Sequence, residues 1–380
     1  MKIVIDVTYT PDAGSLTQIL NIFKTFDQFD GVDVVIYSKK SNNNILSDGV
    51  MNNKVVLSKL SNFSRLTRLI WGQFFLPFCL MKEKADILFC PGNLGPIYSP
   101  VKTVIWIGNI GPFYKEFSAY FIWKDRPQHW IKKFLIVASS RTADAVIFES
   151  QFTKELLTRK YHIKEINSHV INIGFDEYFT NNKKMNFNGI DTNLTSNTKY
   201  ILCVSHLYPY KNIIRLLVAY KKVIDTTKTS AKLIIAGSRT YSHYNKEIEK
   251  CIVDLNIQNN VVFLGNVSKE YLKHLYLNAY IFVFPSLFEN FAYTLVEAMT
   301  CGTPIVCSNT TAMPETCQNA ALYFDPYNTD EMAEKIGLII ENDLLRQEMS
   351  KKSIIRSKEL PDYKEVNLQT LNIMKELANE

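Results

Sequence analysis

The 380 residues lack long apolar runs, an Asp-x-Asp motif and histidines at metal-ligand spacing. No run of eighteen apolar residues occurs, which excludes a transmembrane helix of ordinary length. Asp-x-Asp is absent, and with it the carboxylate pair that commonly holds a divalent cation on a diphosphate. The six histidines show no metal-ligand spacing. We therefore expect neither a bound metal nor a transmembrane segment.

Cysteine usage and the first residues point to a reducing compartment. The seven cysteines are an odd number without any Cys-x-x-Cys spacing, and Cys90, Cys203 and Cys307 lie in apolar contexts. This pattern is typical of reduced core thiols in a cytosolic protein. Residues 1–7 have the pattern of a strand that contains Asp6, which is not that of a signal peptide. We therefore expect a cytoplasmic location.

The net charge of +6 is distributed unevenly. Thirteen Lys or Arg residues between Lys54 and Arg141 outnumber the acids there. This asymmetry fits an anionic acceptor, an anionic membrane surface, or solubility alone. The basic, aromatic stretches 65–76 and 123–134 either lie peripherally on the inner face of a membrane or form core helices with a solvated basic side. We expect no nucleic-acid partner.

Strand and helix signals alternate twice along the chain, which predicts an α/β fold with two doubly wound domains. The first alternation covers residues 1–180. A polar, Asn-rich stretch follows over 181–198 and is interpreted as a linker or surface loop. The second alternation covers 199–360, and a final amphipathic helix is predicted within 361–380.

The most informative segment, residues 286–304, contains Glu289 and Glu297 eight positions apart. Short apolar runs on both sides of it are predicted strands, and the segment between them is predicted to be helical. Glu289 is therefore expected in a strand-to-helix loop, and Glu297 inside the helix, near the crevice where open α/β sheets bind ligands. The N–H groups at such a helix start favour phosphate. Two carboxylates beside it can accept hydrogen bonds from sugar and ribose hydroxyls.

Together with Ala298 and the residues Gly-Thr-Pro at 302–304, these glutamates resemble the signature of retaining glycosyltransferases of family 4, the glycosyl transferases group 1. The resemblance covers most of the chain and is strongest from about 200 to 316. It implies the GT-B fold, in which two Rossmann-like domains face a central cleft. It also implies that the final helix crosses back to the first domain.

The resemblance implies Lys211 and Glu289 as the catalytic residues. Lys211 would neutralise charge that develops on the leaving diphosphate, Glu289 would contact the donor sugar, and Glu297 the ribose hydroxyls. Family members usually have an arginine five residues before the lysine, but this chain has His206. Histidine is charged only near or below a pKa of about 6.5 unless neighbours shift it. Either His206 hydrogen-bonds the diphosphate, or Lys211 neutralises most of its charge.

Backbone groups complete the donor site that the resemblance implies. N–H groups would hold the β-phosphate or sugar, and a loop backbone would meet the nucleobase. The residues concerned are Asn290, Phe291 and Ala292 for the phosphate or sugar, and Gly265 and Val267 for the base.

The sugar and acceptor side is implied to include Gly14, Asn93 and Asn109. Gly14 lies where family members have a Gly-rich loop after the first strand. Many members place a histidine that touches the donor sugar where this chain has Gly108-Asn109. Asn109 can donate and accept hydrogen bonds to sugar hydroxyls instead.

These observations predict a retaining, metal-independent glycosyltransferase that uses a nucleoside-diphosphate sugar and no cofactor. The candidate sugars are mannose, rhamnose, glucose and N-acetylglucosamine. The expected acceptor is a glycan or lipid-linked glycan in bacterial cell-surface polysaccharide synthesis, such as lipopolysaccharide. Two alternatives stay open: another GT-B enzyme of the sugar-nucleotide epimerase type, and a non-catalytic sugar-nucleotide-binding protein.

Overall fold

The computed structural model describes residues 1–9, 26, 31–39, 54–57, 64–114, 126–180 and 199–379. Gly14 and the predicted linker at 181–198 lie outside these ranges. The chain divides into two compact units, Met1–Gly174 with Pro361–Glu380, and Phe175–Leu360. We call them unit 1 and unit 2.

Unit 1 is built on a seven-stranded parallel sheet with the order β3-β2-β1-β4-β5-β6-β7. Side chains on both faces are buried, among them Ile3, Val104 and Ile147, because crossover helices cover both sides of a parallel sheet. The strands are β1 Lys2–Asp6, β2 Asp33–Ser38, β3 Lys54–Leu57, β4 Ile87–Cys90, β5 Lys102–Ile107, β6 Ala145–Phe148 and β7 Ser168–Val170.

The described helices of unit 1 are α1 Arg65–Ile70, α2 Leu76–Glu83, α3 Arg126–Thr142, α4 Gln151–Tyr161 and α12 Tyr363–Asn379. A π-helical turn, Trp71–Phe75, joins α1 to α2. The last helix, α12, contacts β5. The chain is tightly packed where α12 begins, since a Cβ on Gly174 would lie 2.5 Å from the carbonyl carbon of Asp362.

Unit 2 is built on a six-stranded parallel sheet with the order β10-β9-β8-β11-β12-β13. Apolar side chains from the strands and the covering helices, such as Leu217, Tyr220 and Ile336, form one buried core. The strands are β8 Tyr200–Val204, β9 Lys232–Ala236, β10 Val261–Gly265, β11 Ile281–Phe284, β12 Ile305–Ser308 and β13 Ala321–Phe324.

Seven α-helices of unit 2 lie within residues 199–360 of the described chain. They are α5 Ile213–Thr227, α6 Ser242–Asp254, α7 Lys269–Asn278, α8 Tyr293–Thr300, α9 Met313–Cys317, α10 Thr329–Glu341 and α11 Asp343–Ser357. None of the helices in the described ranges of either unit is both long and apolar enough to cross a membrane.

The strand order of both sheets is that of the doubly wound fold, which confirms the predicted fold class. In unit 2 the order reverses beside β8, which pairs with β9 on one side and β11 on the other. Connections leave this point in opposite directions, so a crevice opens at the carboxyl ends of β8 and β11. The loops that carry Lys211 and Glu289 follow these two strands.

Candidate functional site

The loops after β8 and β11 bring the two predicted catalytic residues into contact. Nζ of Lys211 lies 2.6 Å from Oε1 of Glu289, and their side chains are 15% and 13% exposed. The two residues form a largely buried ion pair at the point where the strand order reverses. The two residues are 78 positions apart, and the sequence gave no direct sign of this contact.

The Lys211 ammonium keeps its charge despite its burial. Desolvation by itself would lower the pKa of this group, but the Glu289 carboxylate and other neighbours outweigh it, so the pKa is raised. The ring centroids of Tyr210 and Phe284 each lie 5.2 Å from Nζ and add cation–π attraction. The Lys211 side chain therefore stays charged beside Glu289, as neutralisation of an anionic ligand would require.

Backbone hydrogen bonds hold these two loops against each other. A 3₁₀ turn, Pro209–Lys211, ends at Asn212, whose φ of 63° lies in the left-handed region. The Asn212 amide donates to the Pro285 carbonyl at 3.0 Å. The Leu287 N–H donates to the Tyr210 carbonyl at 2.8 Å. Asparagine suits this position because it tolerates the left-handed conformation and supplies side-chain donors.

The loop that carries Glu289 has two further supports. The Glu289 N–H donates to Oγ1 of Thr311 at 3.0 Å. The preceding ring, Phe288, stacks on Tyr210 with centroids 4.7 Å apart. These contacts fix the backbone of Glu289 independently of its ion pair, so its carboxylate can change partner without loss of the loop.

The start of α8 lacks a side-chain cap. Its N-cap residue is Ala292, and in the described part of the chain nothing accepts a hydrogen bond from the N–H groups of Phe291 or Ala292. Asn290 is buried beside them. Uncapped N–H groups at a helix start favour an anion. The phosphate contact assigned to these three residues remains a prediction.

Glu297 lies inside α8, and its Oε2 accepts a hydrogen bond from the Tyr276 hydroxyl at 2.9 Å. Burial raises the pKa of this carboxyl to about 7, although the Tyr276 hydrogen bond favours the charged form. Asp176 raises it further, and Lys269 lowers it. The carboxyl thus titrates near neutral pH, where a hydroxyl donor from a ligand would favour the charged form.

His206 is bonded through one ring nitrogen. Its Nδ1 lies 3.2 Å from the backbone nitrogen and 2.6 Å from Oγ of Ser238, which follows β9. Partial burial, and then the Lys211 ammonium, lower the pKa of His206 below its ordinary value. The imidazole is therefore mainly neutral at pH 7.

The predicted nucleobase loop lies at the carboxyl end of β10. Gly265 has a φ of +66°, and its carbonyl accepts from the Gly237 N–H at 2.7 Å. Val267 is half-buried. Ser268 then caps α7, since its Oγ accepts from the Tyr271 N–H at 3.2 Å. The loop lies at the same edge of the sheet as Lys211, and its contact with a base remains a prediction.

In unit 1, Asn93 joins the loops that follow β4 and β5. Its Oδ1 accepts from the N–H groups of Gly108 at 2.8 Å and Asn109 at 3.0 Å, and its Nδ2 donates to the Asn109 carbonyl at 2.5 Å. Oδ1 of Asn109 accepts from the Gly111 N–H at 2.7 Å. Both asparagines thus shape these loops, and their sugar or acceptor contacts remain predictions. Gly14 lies outside the described residues.

Sequence reasoning missed Tyr276, Thr311 and Ser238 because each is an ordinary residue whose role depends on a partner from a distant segment. It singled out Asp6 only as an acid in a strand. Asp6 ends β1, beside β4, and is 1% exposed. Burial raises the pKa of its carboxyl to about 6, and Oδ1 accepts from the Thr8 N–H at 3.0 Å.

The residues that could bind a metal are dispersed. Across the described ranges, no three or more His, Cys, Asp or Glu residues lie close enough together to hold an ion. All seven cysteines lie within these ranges, and each is a free thiol.

Sequence comparison finds a family model that matches within unit 2 and relatives that match longer or shorter parts of the chain. Residues 187–356 match the family model described as glycosyl transferases group 1. O-antigen chain mannosyltransferase B of Escherichia coli is 32% identical over 177 residues, 46% of this chain and 45% of that protein. O-antigen chain mannosyltransferase RfbU of Salmonella typhimurium is 29% identical over 280 residues, 71% of this chain and 70% of that protein. The first alignment thus spans less than half of its relative.

Structural comparison extends the likeness over both units. The HepE protein of Anabaena, solved in complex with UDP and glucose, has a TM-score of 0.77 at 18% identity, with 99% of this chain and 100% of that chain covered. A glycosyltransferase from Rickettsia africae has a TM-score of 0.74 at 17% identity, with 99% and 98% covered. At these identities the likeness establishes the fold, which agrees with the predicted class.

Proposed function

We propose, from the match of residues 187–356 to the glycosyl transferases group 1 model, that the chain transfers a sugar from a nucleoside-diphosphate sugar to a glycan or lipid-linked glycan. This match and the related mannosyltransferases support the predicted class of glycosyltransferase. The observation that carries the proposal is the Lys211–Glu289 pair at 2.6 Å in the crevice of unit 2. Among the candidate sugars, mannose is favoured because the two relatives named above are O-antigen mannosyltransferases.

Donor binding would replace the ion pair by two ligand contacts. The Lys211 ammonium would turn to the diphosphate, and the Glu289 carboxylate would accept hydrogen bonds from sugar hydroxyls. Because Glu289 has its own backbone support from Thr311, this exchange leaves the loop in place. Glu297, eight residues after Glu289, would accept from the ribose hydroxyls, and the N–H groups of Phe291 and Ala292 would face phosphate oxygens.

The proposed reaction retains the anomeric configuration. The acceptor hydroxyl attacks the anomeric carbon from the side of the leaving group while the bond to the phosphate oxygen breaks. The departing phosphate oxygen takes the proton of the hydroxyl, so the products are the glycoside and the nucleoside diphosphate. The protein contributes orientation and electrostatic stabilisation, mainly through Lys211, where the negative charge grows.

We propose that the reaction needs neither a metal nor a cofactor, since Lys211 and the N–H groups supply the positive charge that a cation would supply. The test is release of nucleoside diphosphate from a donor panel, GDP-mannose and UDP-glucose included, with an acceptor extract and excess EDTA. Turnover in EDTA is expected. Activity that EDTA abolishes and Mg²⁺ restores would reject metal independence, and donor binding without turnover would favour the non-catalytic alternative.

We also propose that unit 1 places the enzyme peripherally on the inner face of an anionic membrane, where a lipid-linked acceptor would lie. Large apolar side chains at spacings of three or four residues form an exposed stripe along residues 65–83: Leu66, Ile70, Phe74, Phe78 and Met81. Helix α3 exposes three more: Trp130, Ile131 and Phe134. We call these eight side chains the apolar face.

Topology and charge support this use of the apolar face. The β3–β4 and β5–β6 connections cross the sheet in the same direction, so right-handed crossovers place their helices on the same side. Residues 65–84 and 126–142 contain eight Lys or Arg residues and one acid, Glu83. Basic residues around exposed aromatics are the pattern of interfacial helices. The exposure of the rings argues against the alternative of core helices.

A further inference from the structure

Ser238 and His206 form a contact that neither the family resemblance nor the proposed roles include. His206 follows β8 and Ser238 follows β9, the neighbouring strand. Two groups of Ser238 face the same ring nitrogen, Nδ1: the backbone nitrogen at 3.2 Å and Oγ at 2.6 Å. The Ser238 carbonyl also accepts from the Leu207 N–H at 2.9 Å. The two loops are therefore joined twice, once through the His206 ring and once through the backbone N–H of Leu207.

The backbone N–H of Ser238 determines the protonation of the ring. A backbone N–H can only donate, so the nitrogen that faces it must accept through its lone pair. Nδ1 is then unprotonated, and the single proton of the neutral imidazole lies on Nε2. Protonation at Nδ1 would set two N–H groups against each other and break this bond.

The charged groups around His206 also favour its neutral form. Lys211, five residues along the same loop, is the charged group that acts on His206, and together with partial burial it lowers the pKa of the imidazole. On the β9 side, Arg239 follows Ser238 but is paired with Glu249 at 2.5 Å. No carboxylate of the described chain lies within ion-pair distance of His206 to stabilise an imidazolium.

We propose that Ser238 fixes His206 as a neutral hydrogen-bond donor, through Nε2–H, to the diphosphate of the donor. This inference rests on the proposed function, because it assumes that a diphosphate binds beside Lys211. It decides between the two alternatives that the sequence left open. His206 supplies direction through one hydrogen bond, and Lys211 supplies the charge. Ser238 is a positioning residue, since it acts through His206.

Amide substitutions test which ring nitrogen is used. In His206→Gln the amide N–H reaches about as far as Nε2–H, whereas in His206→Asn it reaches only as far as Nδ1. With UDP and GDP as probes in calorimetry, we expect His206→Asn to lose about tenfold or more in affinity and His206→Gln clearly less. Equal losses in both variants, or a larger loss in His206→Gln, would overturn the proposal.

The pH dependence separates a neutral donor from a cation. The diphosphate itself titrates, so the useful quantity is the affinity of the wild type divided by that of His206→Gln, in which no imidazole is present. We expect this ratio to stay constant from pH 8 to pH 6. A ratio that rises tenfold toward pH 6 would show a charged His206 and overturn the proposal.

A double-mutant cycle tests the positioning role of Ser238. Ser238→Ala removes the hydroxyl and leaves the backbone N–H, so we expect a loss of about threefold in nucleotide affinity with His206 present. The same change should have no effect in a His206→Ala background. An equal loss in both backgrounds, or no loss in either, would mean that Ser238 does not act through His206.

A ligand-free measurement separates this proposal from the proposed function. In ¹⁵N-histidine NMR of the whole protein at pH 7, His206 should show an unprotonated Nδ1 and a protonated Nε2. A protonated Nδ1 would refute the tautomer whatever binds. If the tautomer is as expected but neither UDP nor GDP binds the wild type, the nucleotide site fails and the diphosphate contact fails with it.

Discussion

At the scale of single residues, Lys211 and Glu289 neutralise each other in the ligand-free protein. An ammonium beside a phosphate stabilises the transition state more than the ground state, because negative charge gathers on the phosphate as the bond to the sugar breaks. The ion pair in the free protein keeps this charge in place without leaving a buried carboxylate unpaired. In the proposed reaction, the positive charge of Lys211 would thus be in place before the donor binds.

Lys211→Ala should lower kcat by about 10²–10³ with a smaller change in KM, since the contact is strongest in the transition state. Steady-state kinetics with the active donor measures both constants. Lys222→Ala is the matched control, because Lys222 pairs with Asp330 at 2.6 Å on the outside of unit 2. A Lys211→Ala enzyme that differs only in KM would make Lys211 a binding residue.

Glu297 links folding stability to pH. Its pKa is raised from 4.5 to about 7 in the folded protein, so its stabilising contribution is complete below pH 4.5 and is lost as the pH rises through 7. Glu297→Gln cannot lose a proton and should lose less stability between pH 5 and pH 8 than the wild type, by on the order of 1–3 kcal/mol. Urea unfolding at both pH values measures this difference.

The exposed Glu341 provides the control for this experiment, as Glu341→Gln should follow the wild type at both pH values. Glu297→Gln should also weaken nucleoside diphosphate binding if the carboxylate accepts from the ribose. Identical pH dependence in Glu297→Gln and wild type would show that Glu297 is charged throughout the range, contrary to its burial beside Tyr276.

At the scale of elements, the site depends on how closely neighbouring strand ends approach. Gly237, directly after β9, has a φ of +142°, and a Cβ on it would lie 2.1 Å from the Ser205 carbonyl oxygen. This close approach places the loop with Ser238 against the loop with His206. A side chain at 237 would force the two strand ends apart.

Gly237→Ala should therefore destabilise unit 2 by about 1–3 kcal/mol and weaken nucleotide binding. Gly31→Ala in unit 1 is the matched control: its φ of +78° is also left-handed, but no atom lies within 4 Å of the added Cβ. It should cost only about 1–2 kcal/mol from the backbone conformation. Thermal unfolding and calorimetry compare the two. Equal effects would mean that the contact with Ser205 is not limiting.

At the scale of the whole molecule, the apolar face stands out because its large side chains are exposed and are not packed into the core of unit 1. Phe78 on α2 is 68% exposed and Trp130 on α3 is 78% exposed. Exposed apolar patches of this kind commonly mark interaction surfaces. Their basic surroundings are the reason why an anionic bilayer is the proposed partner.

The whole protein should therefore sediment with phosphatidylglycerol vesicles, and less so as salt rises, because the electrostatic part is screened. Phe78→Glu should weaken this binding about tenfold through lost apolar burial. Leu344→Glu, on α11 of unit 2, changes a side chain that is 79% exposed and should have no effect. Equal binding of wild type to neutral vesicles, or none to anionic ones, would reject the membrane proposal.

The sequence by itself determined the alternation of strands and helices, the doubly wound class and the places of Glu289 in a loop and Glu297 in a helix. These features depend on hydrophobic periodicity and on turn and capping residues, which can be recognised within a short segment of sequence. The motif also led to the family whose model matches residues 187–356. The sequence predicted domains at 1–180 and 199–360 with a linker at 181–198, and the structure divides the chain at 174 and 361.

Only the tertiary structure decided which side chains meet. The Lys211–Glu289 pair, the Tyr276 hydroxyl on Glu297 and the Ser238 contact to His206 each join segments that are at least 20 residues apart. No local pattern encodes such contacts, because they follow from which strands become neighbours when the sheet assembles. The pKa of Glu297 and the neutral state of His206 depend on the same packing, since burial and nearby charge are properties of the folded chain.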